Sequence, residues 1–193
     1  VEDRGIDEIY VDLSDISEET RSLAQRIKDA VFAATGLSCS IGVTPNKLLS
    51  KIASDLEKPN GLTILSLDDV PIRIWPLAAK KVNGIGPKAS ERLERHGIRT
   101  IGELAATPQE FLIRKFGRST GLWMHRIAHG IDDRPVVTES EPKSISRETT
   151  FERDLHVRQD KPELSEKFTS LCLRVGDDLK RKGYACRTIG IKI

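Results

Sequence analysis

Gly5-Ile6-Asp7-Glu8-Ile9-Tyr10-Val11-Asp12-Leu13 reads as a strand in which two neighbouring acids interrupt an apolar run. Burying an unpaired carboxylate costs several kcal/mol or forces it to take up a proton. Adjacent acids at a strand end therefore point either to bound divalent cations or to a wet edge where both face solvent. Downstream, Ser17-Glu18-Glu19 offers an N-cap with acids for the first turn of a helix. Leu23, Ile27, Val31 and Ala34 recur at helical spacing, and Gly36 closes the element. Residues 38–43 predict a second strand, and residues 46–56 a helix burying Leu48, Leu49, Ile52, Ala53 and Leu56. Pro59-Asn60-Gly61 predicts a turn and residues 62–65 a third strand. Alternating strand and helix predict an α/β unit whose helices cover one or both faces of a sheet.

Between Ile72 and Gly130 the β-branched alternation disappears, and short helices separated by glycine turns replace it. The architecture is expected to change near Pro71. Residues 134–143 are polar, carry two prolines and lack a helical period, as an extended linker does. Residues 144–151 then predict a strand. A helix over residues 162–182 places Leu164, Phe168, Leu171, Val175 and Leu179 on one stripe and ends at Gly183, before a last strand at 188–193. The reading is multidomain, α/β and α+β: a mixed sheet with helices over 1–71, a small all-helical unit over 72–133, the linker 134–143, and a strand-helix-strand half over 144–193. Because it opens and closes on strand-like segments, the chain is expected to be a piece cut at both ends.

The 193 residues are 38% hydrophobic and 31% charged, enough apolar material for a core. Cys39, Cys172 and Cys186 are odd in number, widely separated and without CxxC spacing, which argues against disulfides and zinc. No apolar run approaches the roughly 18 residues of a membrane span, and the N-terminus lacks the pattern of a signal peptide. A cytoplasmic protein without membrane contact is expected. The net charge of +2 hides a segregation: residues 1–71 hold seven Lys and Arg against thirteen Asp and Glu, residues 72–130 eleven against four, and residues 131–193 thirteen against twelve. A basic middle beside an acidic first third suits a protein that holds a polyanion next to bound metal.

Within the basic third, Val82-Asn83-Gly84-Ile85-Gly86-Pro87-Lys88 leads into a helix carrying Ala89, Leu93 and His96. Two glycines let the backbone turn with its amides exposed, and the helix start adds free N–H groups and a positive dipole end. Pro87 takes a first-turn position where a missing N–H does no harm, and Lys88 adds a charge-assisted contact. The arrangement is a phosphate site, and it resembles the helix-hairpin-helix of proteins that grip DNA backbones without reading sequence. A helix-helix turn that merely uses glycine is the alternative.

Around the acids, Gly5-Ile6-Asp7-Glu8-Ile9-Tyr10 resembles the Ser-x-Asp-Glu-Ala-Tyr motif of the Y-family translesion DNA polymerases. The stretch Ser40-Ile41-Gly42-Val43-Thr44-Pro45-Asn46-Lys47-Leu48-Leu49-Ser50-Lys51-Ile52-Ala53-Ser54-Asp55, completed by Lys58-Pro59-Asn60-Gly61, is similar to a second block of that family. The glycine hairpin falls where the family's thumb has one. Lys143-Ser144-Ile145-Ser146-Arg147-Glu148-Thr149-Thr150-Phe151 resembles the opening of its little finger. The likeness spans nearly the whole chain and points to the DinB, or DNA polymerase IV, branch.

The resemblance implies a palm remainder over 1–71, a thumb over 72–133 and the first half of a little finger over 144–193. It implies two-Mg²⁺ nucleotidyl transfer with Asp7 and Glu8 as metal-binding catalytic carboxylates, and Lys51 reaching the triphosphate of an incoming dNTP. Gly84, Ile85, Gly86 and Lys88 are assigned to the backbone of primer-template DNA, and Arg147, Arg187 and Lys192 to further phosphates. Neighbours on a regular strand point to opposite faces, so Asp7 and Glu8 converge only if the chain turns there, which Gly5 permits. Two departures stand out: Gly5 replaces the usual Ser, and Ile9 a small Ala. The family's first metal-binding aspartate, its ribonucleotide-excluding aromatic and its fingers lie upstream of this stretch. The rest of the little finger and the tail for a sliding clamp lie downstream. The piece alone is therefore expected to be inactive and to hold Mg²⁺ poorly. The alternatives are a non-catalytic helix-hairpin-helix DNA-binding paralogue and, with less support, a nucleotidyl cyclase-type palm, which has no duplex to grip.

Overall fold

In the first ten residues the chain makes a short hairpin, not the long strand that the apolar run predicts. The computed structural model describes residues 1–139 and 141–192, in two compact units, Val1–Thr138 and Glu139–Ile193. β1 (Glu2–Asp3) pairs antiparallel with β2 (Ile9–Tyr10), Glu2 opposite Tyr10, and the Arg4 amide donates to the Glu8 carbonyl at 2.9 Å. The predicted strand over 5–13 is thus reduced to two residues. Residues 5–7 are spent on the turn, and Asp12 ends the extended run by accepting from the Ser14 amide (3.0 Å) and hydroxyl (2.7 Å).

α1 (Thr20–Thr35) is capped by Glu19, whose carboxylate accepts from the amides of Arg21 (3.0 Å) and Ser22 (2.7 Å). Gly36 closes it in the left-handed conformation, as expected. The buried stripe is rotated from the predicted one: Ala24 and Lys28 are buried and Ala34 is exposed.

β3 (Ile41–Val43) and β4 (Leu62–Ile64) pair in parallel, joined through α2 (Lys47–Leu56). Parallel neighbours need a crossover, and α2 supplies it. At Gly42 the strand lies directly on this helix: a Cβ there would sit 2.3 Å from the Ser50 carbonyl oxygen, so only glycine permits the approach. The single sheet expected over residues 1–71 is instead two separate two-stranded sheets, because the two residues of β2 pair with β1.

The chain then turns helical: a π-helical turn at Val70–Ile74, a 3-10 turn at Ala79–Lys81, α3 (Pro87–Glu94), α4 (Ile101–Ala105), α5 (Gln109–Phe116) and α6 (Arg118–Ala128). These pack on the same core as α2, with Leu49, Ile74, Leu93, Ile101, Leu104 and Leu112 fully buried in one contiguous cluster.

The second unit is built on α7 (Lys161–Lys182). It ends in a Schellman motif, with Tyr184 N–H on the Leu179 carbonyl (3.0 Å) and Gly183 N–H on that of Lys180 (3.1 Å). Before the helix, Arg153 grips Asp160 through two nitrogens (2.7 and 3.1 Å) and, with the His156 amide, holds its carboxyl down at about 2. The strands expected at 144–151 and 188–193 are not present among the described residues; Ile193 lies outside them. A strand persists only where its N–H and C=O groups meet a partner, and neither segment meets one here. Correspondingly, Phe168 on the predicted stripe is exposed, and Leu164, Leu171, Val175 and Leu179 are half-buried.

Candidate functional site

Asp7 and Glu8 lie in the β1–β2 turn, which is the bend that Gly5 was expected to allow. Asp7 is exposed, whereas Glu8 is half-buried and paired with the Lys51 ammonium. Lys51 stands one turn into α2, so its side chain reaches from that helix to the acid turn, and it also lies 3.6 Å from Asp55. Burial alone lowers the affinity of Lys51 for its proton, but the Glu8 hydrogen bond and the charges of Asp55 and Glu8 outweigh it and leave its pKa raised. Asp55 shows the mirror image: desolvation pushes its carboxyl up, and Lys58 at 2.6 Å together with Lys51 brings it below the usual range.

Behind this pair is a polar network that spacing in the sequence did not reveal. Lys47 bonds Glu2 at 2.7 Å, and Glu2 also accepts from the Val137 amide at 2.8 Å, so its carboxyl is held below its ordinary pKa. Lys47 and Arg4 lie 5.6 and 5.9 Å from the Tyr10 ring centre. Asn46 caps α2 by accepting from Leu49 N–H at 3.0 Å, and its amide donates to the Gly130 carbonyl at 2.8 Å. Asp132 takes the Leu48 amide at 3.0 Å and is clamped by Arg134. The start of α2 is therefore satisfied by the chain itself.

Asp7 and Glu8 present the hard oxygen donors that Mg²⁺ takes, so they suit that ion in kind. They do not complete its shell: among the described residues no three His, Cys, Asp or Glu side chains come together as a metal site.

In the glycine hairpin, Gly84 has φ +108°, and a Cβ on it would fall 2.8 Å from the Trp123 ring. Gly84→Ala should therefore destabilise the first unit by roughly 1–3 kcal/mol, through both strain and overpacking. Urea unfolding measures this, and an unchanged midpoint would contradict it. Gly86 caps α3, and the amides of Gly84, Gly86, Lys88 and Ala89 have no hydrogen-bond acceptor among the described residues. Ile85 differs from expectation. Its side chain is buried and its N–H closes the turn on the Val82 carbonyl at 3.0 Å, so it shapes the hairpin without offering a donor. Lys88, Arg187 and Lys192 are exposed. Arg147 is engaged: its guanidinium bonds the buried Asp178 carboxylate at 2.6 Å, which Arg181 shares at 2.5 Å. No helix of the described residues is long and apolar enough to cross a membrane.

Comparison with known proteins finds matches in three segments of the chain. Residues 1–55 match the impB/mucB/samB family, residues 80–132 the thumb domain of DNA polymerase-iota, and residues 142–193 the impB/mucB/samB C-terminal domain. The chain is 42% identical to a DNA polymerase IV of Methanoculleus marisnigri, over all of this chain and 53% of that protein. It is 37% identical to one of Moorella thermoacetica, over all of this chain and 48% of that protein. This chain belongs to the Y-family polymerases. Its relatives place it on the DNA polymerase IV branch, and it spans about half the length of the curated Y-family proteins that it matches. The Y-family thumb match begins at Lys80 and takes in the whole glycine hairpin and its Trp123 buttress.

Proposed function

We propose that this chain is the palm remainder, thumb and first half of the little finger of an error-prone, DNA-directed DNA polymerase of translesion synthesis and DNA repair. The observation that carries the proposal is the acid turn held against α2 by the Glu8–Lys51 pair, with a hairpin of open amides in the same unit. In the whole protein, Asp7 and Glu8 would bind two Mg²⁺ ions together with a carboxylate from outside this stretch. The bound ions would supply Lewis acidity towards the phosphates and the primer hydroxyl. Without them, Lys51 neutralises Glu8 and Asp55. The same ammonium, kept charged by those acids, is the group that would answer the triphosphate of a dNTP. The amides of Gly84, Gly86 and the first turn of α3, with Lys88, would hold the DNA backbone. Arg187 and Lys192 would add phosphate contacts, as would Arg147 if it left Asp178. A sliding clamp would be a partner of the whole protein.

Primer extension by the full-length gene product with Mg²⁺ tests the reading: templated extension supports it, and DNA binding without any extension supports the non-catalytic paralogue instead. The 193-residue chain should bind primer-template DNA weakly and without sequence preference, and incorporate no nucleotide. Its affinity should fall steeply between low and moderate salt, since phosphate contacts release counterions. Anisotropy titrations that ignored salt would remove the thumb from the interface.

A further inference from the structure

We infer that His125 and His129, at the end of α6, form a two-imidazole site for a divalent transition-metal ion, separate in chemistry from the carboxylates at Asp7 and Glu8. The two residues are one helical turn apart, a spacing that puts side chains on the same face. Their rings lie 4.6 Å apart between centroids with a 36° tilt, so the two imidazoles are direct neighbours on that face. The His129 Nδ1 is 2.8 Å from the His125 carbonyl oxygen. A carbonyl only accepts, so Nδ1 carries the proton and the Nε2 lone pair is left for a ligand. A backbone carbonyl that fixes the tautomer and orientation of an imidazole is also how protein metal ligands are commonly held. His129 is exposed and His125 half-buried, so an ion can reach the pair from water.

Imidazole nitrogen selects Ni²⁺, Cu²⁺ and Zn²⁺ over Mg²⁺, the reverse of the carboxylate preference. Two protein ligands leave the remaining positions to water, so binding is readily reversible. The ion would tie together the last turn of α6, directly before Gly130, whose carbonyl accepts the Asn46 side chain that caps α2. Two reporters are in place. Trp123 is on the same helix, and Trp75 donates its indole N–H to the Ala128 carbonyl at 2.9 Å, next to His129.

The test is a titration of the 193-residue chain with Ni²⁺ alone, read by tryptophan fluorescence. Saturable quenching is expected at micromolar Ni²⁺, with no such effect of millimolar Mg²⁺. His129→Gln and His125→Gln should each raise the midpoint at least about tenfold, since losing even an outer-shell partner of a metal ligand costs about that much. His156→Gln, in the second unit, should leave it unchanged. Because His129 is exposed, His129→Gln decides the matter even where His125→Gln disturbs folding. Quenching that does not saturate, an unaltered midpoint in His129→Gln, or a midpoint that moves in His156→Gln overturns the site.

Discussion

In the full-length protein, Asp7→Ala and Glu8→Ala should each lower primer extension by at least about a thousandfold while leaving DNA affinity nearly unchanged. The magnitude follows from the several kcal/mol of transition-state charge stabilisation that bound metal supplies, at about 1.4 kcal/mol per factor of ten. Folding does not confound the result. Asp7 is exposed, and a surface change of this kind usually alters stability by no more than about 0.5 kcal/mol. Glu8 loses only a partly exposed ion pair with Lys51, worth at most about 1 kcal/mol. Lys51→Ala should behave differently, raising KM for the nucleotide more than it alters DNA affinity. Single-turnover extension with anisotropy on the same variants separates these effects. Wild-type extension by either carboxylate variant would end the catalytic assignment of that residue.

What could be read from the sequence divides according to how local the cause is. α2 was legible almost to the residue, since Leu48, Leu49, Ile52 and Ala53 mark one face, although Asn46, read as its first residue, is its cap. α7 and its Gly183 stop were legible for the same reason: period and cap are both local. The turn at Asp7 and Glu8 was only half legible: residues 5–13 read as one strand, and Gly5 merely permitted a bend, which two adjacent side chains would need in order to share a face. Strand pairing was not legible at either end of the chain. Residues 144–151 and 188–192 have a strand-like pattern, but pattern supplies no hydrogen-bond partner. The roles of Glu2, Lys47 and Asp132 were hidden for a related reason, since Glu2 meets Val137 and Asp132 meets Leu48 across long sequence separations. That the Ile85 amide closes the turn was hidden, because an apolar residue between two glycines signals a turn without saying where its amide points.

Leu49→Ala should cost roughly 2–5 kcal/mol, a large share of the roughly 5–15 kcal/mol that holds a domain together. Leu49 is 0% exposed and belongs to the cluster that runs from α2 through the four helices α3–α6. One of its methyls lies 3.5 Å from where a Cβ on Gly130 would be, so it fills the space where the α6 exit meets α2. The Asn46 bond to the Gly130 carbonyl restrains that exit, so the helix is poorly able to collapse into the void. Limited collapse is what puts a leucine deletion at the upper end of its range. In urea the midpoint should fall with the slope unchanged, because a cavity alters stability without altering the surface exposed on unfolding. Leu49→Met, which keeps the volume, should cost less than about 1.5 kcal/mol. Leu173→Ala, at a side chain 64% exposed on α7, should stay within about 0.5 kcal/mol. A Leu49→Ala protein that lost no more than the Leu173→Ala protein would mean that α2 and the helices α3–α6 do not share one core.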